Sequence, residues 1–467
     1  MTTPYPDHPQ LNGNFAPIRM ECDIDDVIVR GDLPRDLDIT YYRNGPDPQF
    51  PPRADHHWFA GDGMVHMFTI RDGRVRYRNR WVRTSKWALE RGEGRSLYNP
   101  FNPLDNDPLT QGVADEGLAN TNIVWHGNRL LALEEGHAPV EVDPATLDTI
   151  GPWRFDDQLA GPMTAHPKLD PETGEMLFFG YMAAGMFSRE VSYQTVDAQG
   201  RLTRAERFDA PFASMMHDFI ATAEHVVFPV FPVTASMERA MSGGPPLAWD
   251  PDMGTHVGVM RRDGGVAEMR WFDTDPCYVF HPVNAYSENN RIVAHVMQFE
   301  EVPLFPRVDG GATDPKKAQA RLCEWTIDLG SNAGGITRRY LDDLPGEFPR
   351  LDERFALNGY RHAYCAGNVG GSGLHFNAVV HYDLASGARQ DYVLPDGDTV
   401  GEPVFVPRTA DAPEGDGYLL GVVHRGRDNR SDLVFLDAND VAAGPVACAE
   451  LPHRIPYGFH GNWIANR

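Results

Sequence analysis

Four histidines stand in settings suited to chemistry: His166 in Thr-Ala-His-Pro-Lys, His217 in Met-Met-His-Asp-Phe, His281 in Phe-His-Pro-Val-Asn and His460 in Gly-Phe-His-Gly-Asn-Trp. Neutral imidazoles suit first-row transition metals, iron included. No two of the four form an HxxxH or HExxH pair, so a joint site has to be assembled from distant segments. The chain carries 18 histidines, and one beside aromatics is more often a hydrogen-bonded structural residue than a ligand. Spacing alone therefore leaves both readings open.

Assembly from distant segments asks for a scaffold that brings many strands to one axis. The sequence is dominated by short alternating runs bounded by Gly, Pro, Asp or Asn, such as Arg74–Val82, Arg129–Leu133, Glu175–Tyr181, Val191–Val196 and Tyr418–Val423. That texture predicts strands and tight turns. Helical periodicity is sparse, with candidates at Ser85–Arg91, Ser236–Met241 and Lys316–Arg321. Two dozen or more strands without an evident linker suggest an all-β propeller, which leaves few open edges. Two tandem β-sandwiches are the alternative. No internal sequence repeat of the WD40 or kelch kind is visible. Three Pro/Gly-rich insertions, at 99–107, 232–250 and 303–317, are expected to project from one face as a cap. Met237, Met241, Leu247 and Trp249 of the second would suit an apolar entrance. The whole chain, 1–467, reads as one domain.

Bulk properties narrow the function. A formal charge of -24 opposes binding to nucleic acid, which needs a basic face, and to anionic lipid. No run approaches the length of a transmembrane helix, and no secretory signal is visible. Five scattered cysteines without a CxxC pair fit a reducing compartment. A cytoplasmic enzyme is expected. No GxGxxG follows a strand, and nothing points to haem, flavin or pterin.

The histidine contexts belong to a longer ordered set: YYRNGPDP (41–48), FAGDGMVH (59–66), AHPKLDPETGE (165–175), MHDF (216–219), FHPVNAY (280–286), EFPR (347–350), GEPVFVPR (401–408) and GFHGNW (458–463). Together these resemble the carotenoid cleavage oxygenase family, specifically the bacterial branch that includes lignostilbene dioxygenases. The likeness runs from about residue 15 to the last residue given. It implies a seven-bladed propeller holding one Fe(2+) through His166, His217, His281 and His460. It also implies that Glu135, Glu347 and Glu402 orient three of those rings from behind. His166 would be the ring without a carboxylate partner. The activity implied is cleavage of a conjugated C=C bond by O2, giving two carbonyl products and needing no external reductant.

The lignostilbene branch reads a 4-hydroxyphenyl group through a Phe, a Tyr and a Lys. The matching positions here are Phe59, Phe101 and Glu134, with Tyr98 close by. Two of the three are changed, which suggests a weaker dependence on a substrate hydroxyl. An aryl alkene, stilbenoid or phenylpropene, is the first substrate expectation, and an apocarotenoid the second. From a different class, a calcium-dependent lactonase or binding propeller would place oxygen ligands on the axis.

Overall fold

A computed structural model describes residues 4–53, 56–331, 335–371, 373 and 375–466. The alternating runs form antiparallel sheets in which one face is buried. In Arg74–Trp81, for example, Val75, Tyr77, Asn79 and Trp81 point inward while the intervening arginines face outward. This is the two-residue period of a half-buried strand.

Among the described residues the sheets make seven blades. Blade 1 orders its strands Cys22–Ile24, Arg74–Trp81, Gly63–Arg71, Ile39–Pro46 and Gly461–Ala465. Blade 2 runs Asn122–His126, Arg129–Leu133, Val140–Val142 and Thr149–Pro152. Blade 3 starts at Lys168–Leu169 and ends at Leu202–Asp209, and blade 4 starts at Ile220–Ala221 and ends at Arg270–Thr274. Blades 5 and 6 share one long strand, Ile336–Leu351. Its first part pairs with Arg321–Asp328 and its last part, from Gly346, pairs with His362–Gly367. Blade 7 is built on Gly417–Arg425, Arg430–Asp437 and Pro445–Glu450.

Ring closure is double. Ile28–Gly31 adds to the outer edge of blade 7, and Gly461–Ala465 supplies the first strand of blade 1. Packed sheet faces form the core, with Trp325, Tyr278 and Phe231 in one cluster and Tyr41, Phe68 and Phe435 in another.

The helices at Ser85–Glu93 and Met237–Met241 match two of the three helical candidates. The third does not form: Lys316 lies in a turn and Arg321 opens a strand, because Leu322, Cys323, Trp325 and Ile327 bury against the neighbouring strand. The three insertions converge. Val233–Ala235 and Leu247–Trp249 make a two-stranded sheet, and Trp249 exchanges backbone bonds with Pro306 and Val308. Residues of all three line one cavity. The apolar-entrance expectation needs correction: only Leu247 of the four named lines that cavity. Met237 and Met241 point to solvent, and Trp249 is buried in the core.

Candidate metal centre and substrate cavity

Prolines show why the site residues reach the axis. His166, His281 and Glu402 each precede a proline, and Glu347 lies two residues before Pro349. A proline has no N–H for a sheet ladder, so it is confined to strand edges and bulges. Each of these segments forms the first strand of its blade, or leads into it, and first strands of neighbouring blades lie against one another. At Pro282 the register slips beside His281. A second irregularity falls between Glu347 and Arg350, with Phe348 at φ +56°, and it turns the Glu347 carboxylate toward His281. Bulges commonly re-aim side chains in this way.

The structure brings His166, His217, His281 and His460 together, with one nitrogen from each lying within 4.8 Å of the others. All four are buried. Nε2 of His217 is 2.9 Å from Nε2 of His166 and 3.3 Å from that of His281. Behind the cluster, Nδ1 of His217 lies 2.6 Å from Glu135, that of His281 2.5 Å from Glu347 and that of His460 2.9 Å from Glu402. A carboxylate accepting at Nδ1 fixes the proton there and leaves the lone pair on Nε2. Lone pairs at such separations repel one another unless a cation lies among them. The donor set therefore fits a first-row divalent metal.

His166 makes no hydrogen bond to a carboxylate among the described residues. Its Nδ1 is 3.9 Å from Asp218, whose carboxylate is engaged by Lys168 at 2.7 Å. Burial and the other imidazoles push His166 well below the usual histidine range. Burial also lowers His281, partly countered by Glu347, whereas at His217 the Glu135 carboxylate outweighs burial and raises it. Burial disfavours an ionised Glu402, but Arg350 at 3.1 Å and His460 overcome this and hold it down to about 2.

A cavity of about 500 Å³ opens on the cluster, with His217, His281 and His460 in its wall. Phe59, Phe101, Trp58, Phe280, Phe348 and Phe459 make much of its surface apolar. Glu134 and Tyr98 line it as well. Sequence reasoning missed several lining residues: Lys86, Asp115, His137, and Tyr181, whose hydroxyl donates to Glu135 at 2.7 Å. The signal for His137 was its place three residues after Glu134; nothing in the sequence marks the other three.

The sequence profile of the retinal pigment epithelial membrane protein family matches residues 15–465. Isoeugenol monooxygenase of Pseudomonas putida is 39% identical over 97% of this chain and 98% of that protein. The chain belongs to the carotenoid cleavage oxygenase family. The crystal structure of Pseudomonas brassicacearum lignostilbene dioxygenase superposes with a TM-score of 0.96, at 36% identity and full coverage of both chains. Cobalt-substituted Synechocystis ACO gives a TM-score of 0.85 at 30% identity, over 96% of each chain. These neighbours are propellers, in agreement with the seven blades described above. The family's oxygenases are iron(II)-dependent, and the four-histidine cluster suits that ion. Among the described residues no helix is long and apolar enough to cross a membrane.

Proposed function

We propose that this chain cleaves the C=C bond of an aryl alkene, a stilbenoid or phenylpropene, with O2, yielding two carbonyl products. In this reading His166, His217, His281 and His460 hold Fe(2+), while Glu135, Glu347 and Glu402 fix the tautomer and direction of three of the rings. The observation that carries it is the convergence of the imidazole nitrogens on the wall of an apolar cavity. Bound iron(II) supplies the one-electron chemistry by which O2 engages a closed-shell alkene. Adding both oxygen atoms across the broken bond balances the equation, so the alkene furnishes all the electrons.

The protein's own part is binding, orientation and exclusion of water. Phe59 and Phe101 offer ring faces and edges to a flat conjugated substrate, and the cap insertions close over it. The glutamates keep the imidazoles aimed without placing a carboxylate among the ligands. A calcium-dependent propeller would need oxygen ligands, whereas this axis presents nitrogen. We place the protein in the cytoplasm, where its five unpaired cysteines stay reduced, and treat 1–467 as one propeller domain with inserted cap segments.

Two measurements test this reading. Metal analysis should find one iron per chain, lost when His217 and His281 are both replaced by Ala. Aerobic assays with 18O2 against stilbenes, phenylpropenes and apocarotenoids should give aryl aldehydes from the first two classes and no cleavage of the third, and label in both products distinguishes dioxygenase from monooxygenase stoichiometry. Full iron in the double variant would overturn the ligand set. Turnover of apocarotenoids alone would overturn the substrate class.

A further inference from the structure

The histidine cluster faces two cavities. The second, of about 390 Å³, shares only His281 and His460 with the substrate cavity, and has His166 in its wall where the other has His217. Three segments cross from one to the other at the level of the cluster. Phe280 lines the first and Pro282 the second, Phe348 the first and Pro349 the second, Phe459 the first and Asn462 the second. The second cavity therefore lies beyond the histidines, on the side away from the substrate.

The two approaches differ in chemistry. From the substrate cavity the imidazoles are screened by rings. Phe280 packs edge-on against His217 with centroids 5.3 Å apart, and Phe348 lies 5.6 Å from His281 and 5.5 Å from His460. A hydrated dication passing between those rings finds little to replace the waters it sheds, and taking charge out of water is costly. The carboxylates in that wall are already engaged: Glu134 and Asp115 by His137, Glu135 by His217 and Tyr181, and Glu347 by His281.

On the other side, ion pairs run from solvent to the cluster. Arg350 joins Glu402, which holds His460, to Glu353 at 2.9 Å, and the Glu353 side chain is half exposed. Lys168 pairs with Asp218 at 2.7 Å, beside His166, and Arg354 with Asp352 at 2.5 Å. These three cations face four carboxylates, a net charge of -1, so no unmatched positive charge bars a dication. Leu169, in the same wall, is 39% exposed. His166, the ring no glutamate braces, is the one reached only from this side.

We infer that this polar channel, and not the substrate cavity, is the route by which a divalent metal ion reaches and leaves the four histidines. The inference rests on the metal assignment above. Metal and substrate then have separate doors, so iron is replaced while the substrate cavity stays filled.

The test follows exchange of bound iron in the holoenzyme against isotopically enriched Fe(2+) under argon, read by mass spectrometry of the protein-bound metal. Leu169→Arg sets a positive charge at the channel's mouth. Met186→Arg sets one on the wall of the substrate cavity, where Met186 is half exposed. Both changes leave the histidines and their carboxylates alone. Leu169→Arg should slow exchange by about three-fold or more at low ionic strength, Leu169→Glu should speed it by a similar factor, and both effects should fade toward about 0.5 M salt. Met186→Arg should leave exchange unchanged, and so should saturating stilbene, its binding checked by fluorescence. Exchange insensitive to charge at Leu169, slowed equally by Met186→Arg, or halted by bound stilbene would overturn the inference while leaving alkene cleavage intact. A parent that binds no stilbene fails the substrate reading, and the two charge variants still decide the inference. A parent that holds no iron refutes both.

Discussion

Glu347 and Glu402 perform the same task from different surroundings, so replacing each with Gln should give unequal results. The Glu402 carboxylate accepts from His460 at 2.9 Å, from the Gly461 N–H at 2.8 Å and from Arg350 at 3.1 Å. A glutamine that keeps its oxygen toward His460 turns its NH2 toward two further donors. That conflict weakens a buried charge pair, a change that costs about 3–5 kcal/mol when a partner is lost outright. Arg350 also donates to the Gly461 carbonyl at 2.7 Å and to Asn462 at 3.0 Å, which places the expected loss near the lower end. At Glu347 one oxygen accepts from both His281 and the Phe348 N–H, and the other has no partner among the described residues. A glutamine can put its NH2 on that vacant side. It then loses only the difference between a charge-assisted and a neutral hydrogen bond, about 1–2 kcal/mol. Both variants should hold iron about 10- to 100-fold more weakly in competition with a chromogenic chelator. Thermal unfolding of the metal-free forms should show Glu402→Gln destabilised more than Glu347→Gln by about 2 kcal/mol. Equal metal-free stability of the two variants, or iron affinity unchanged in both, would refute this account of how the rings are held.

Gly117→Ala should destabilise by about 1–3 kcal/mol, because its Cβ would displace the Glu134–His137 pair and the left-handed backbone resists a side chain; denaturant unfolding beside circular dichroism checks it. His137 titrates at about 10 in the fold against an ordinary value near 6.5. Its stabilisation is therefore complete below about pH 6.5 and lost as pH rises toward 10, so the Tm difference between parent and His137→Gln should shrink across that window. Gly63→Ala should destabilise by about 1–3 kcal/mol, since its Cβ would meet the Ala119 carbonyl at 2.3 Å where blades 1 and 2 join; denaturant unfolding reads the loss.

The fold was legible because alternation and turn residues are local signals, as in Arg74–Trp81, where burial follows the written pattern residue by residue. The histidines were legible as candidates through their neighbours, and the prolines that follow two of them are the imprint of an inner edge. Contacts between segments were not legible. Lys86, Asp115 and Tyr181 reach the cavity from three different elements, and no spacing records that. Glu134 shows the cost. Taken alone it reads as a charge reversed from a lysine; the structure adds that its carboxylate is bonded to His137 and backed by Gly117. The stretch Lys316–Arg321 misled because a short polar run satisfies helical and turn patterns equally, and burial of the following strand decided the matter.

The double closure of the ring bears on how the protein comes to be made. Ile39–Pro46 pairs early with Gly63–Arg71, but its other edge finds a partner only when Gly461–Ala465 has been synthesised, and three of the four histidines are made long before His460 emerges. Translation therefore yields, until nearly the whole ring has been read, a stack of blades with an open seam and a three-imidazole pocket. Pairings this distant in sequence form slowly, and the unpaired edges meanwhile invite aggregation. A message cut short anywhere before His460 makes a protein that neither shuts its ring nor completes the four-histidine cluster, so the cell is spared a half-built oxygen-activating centre in an otherwise finished fold.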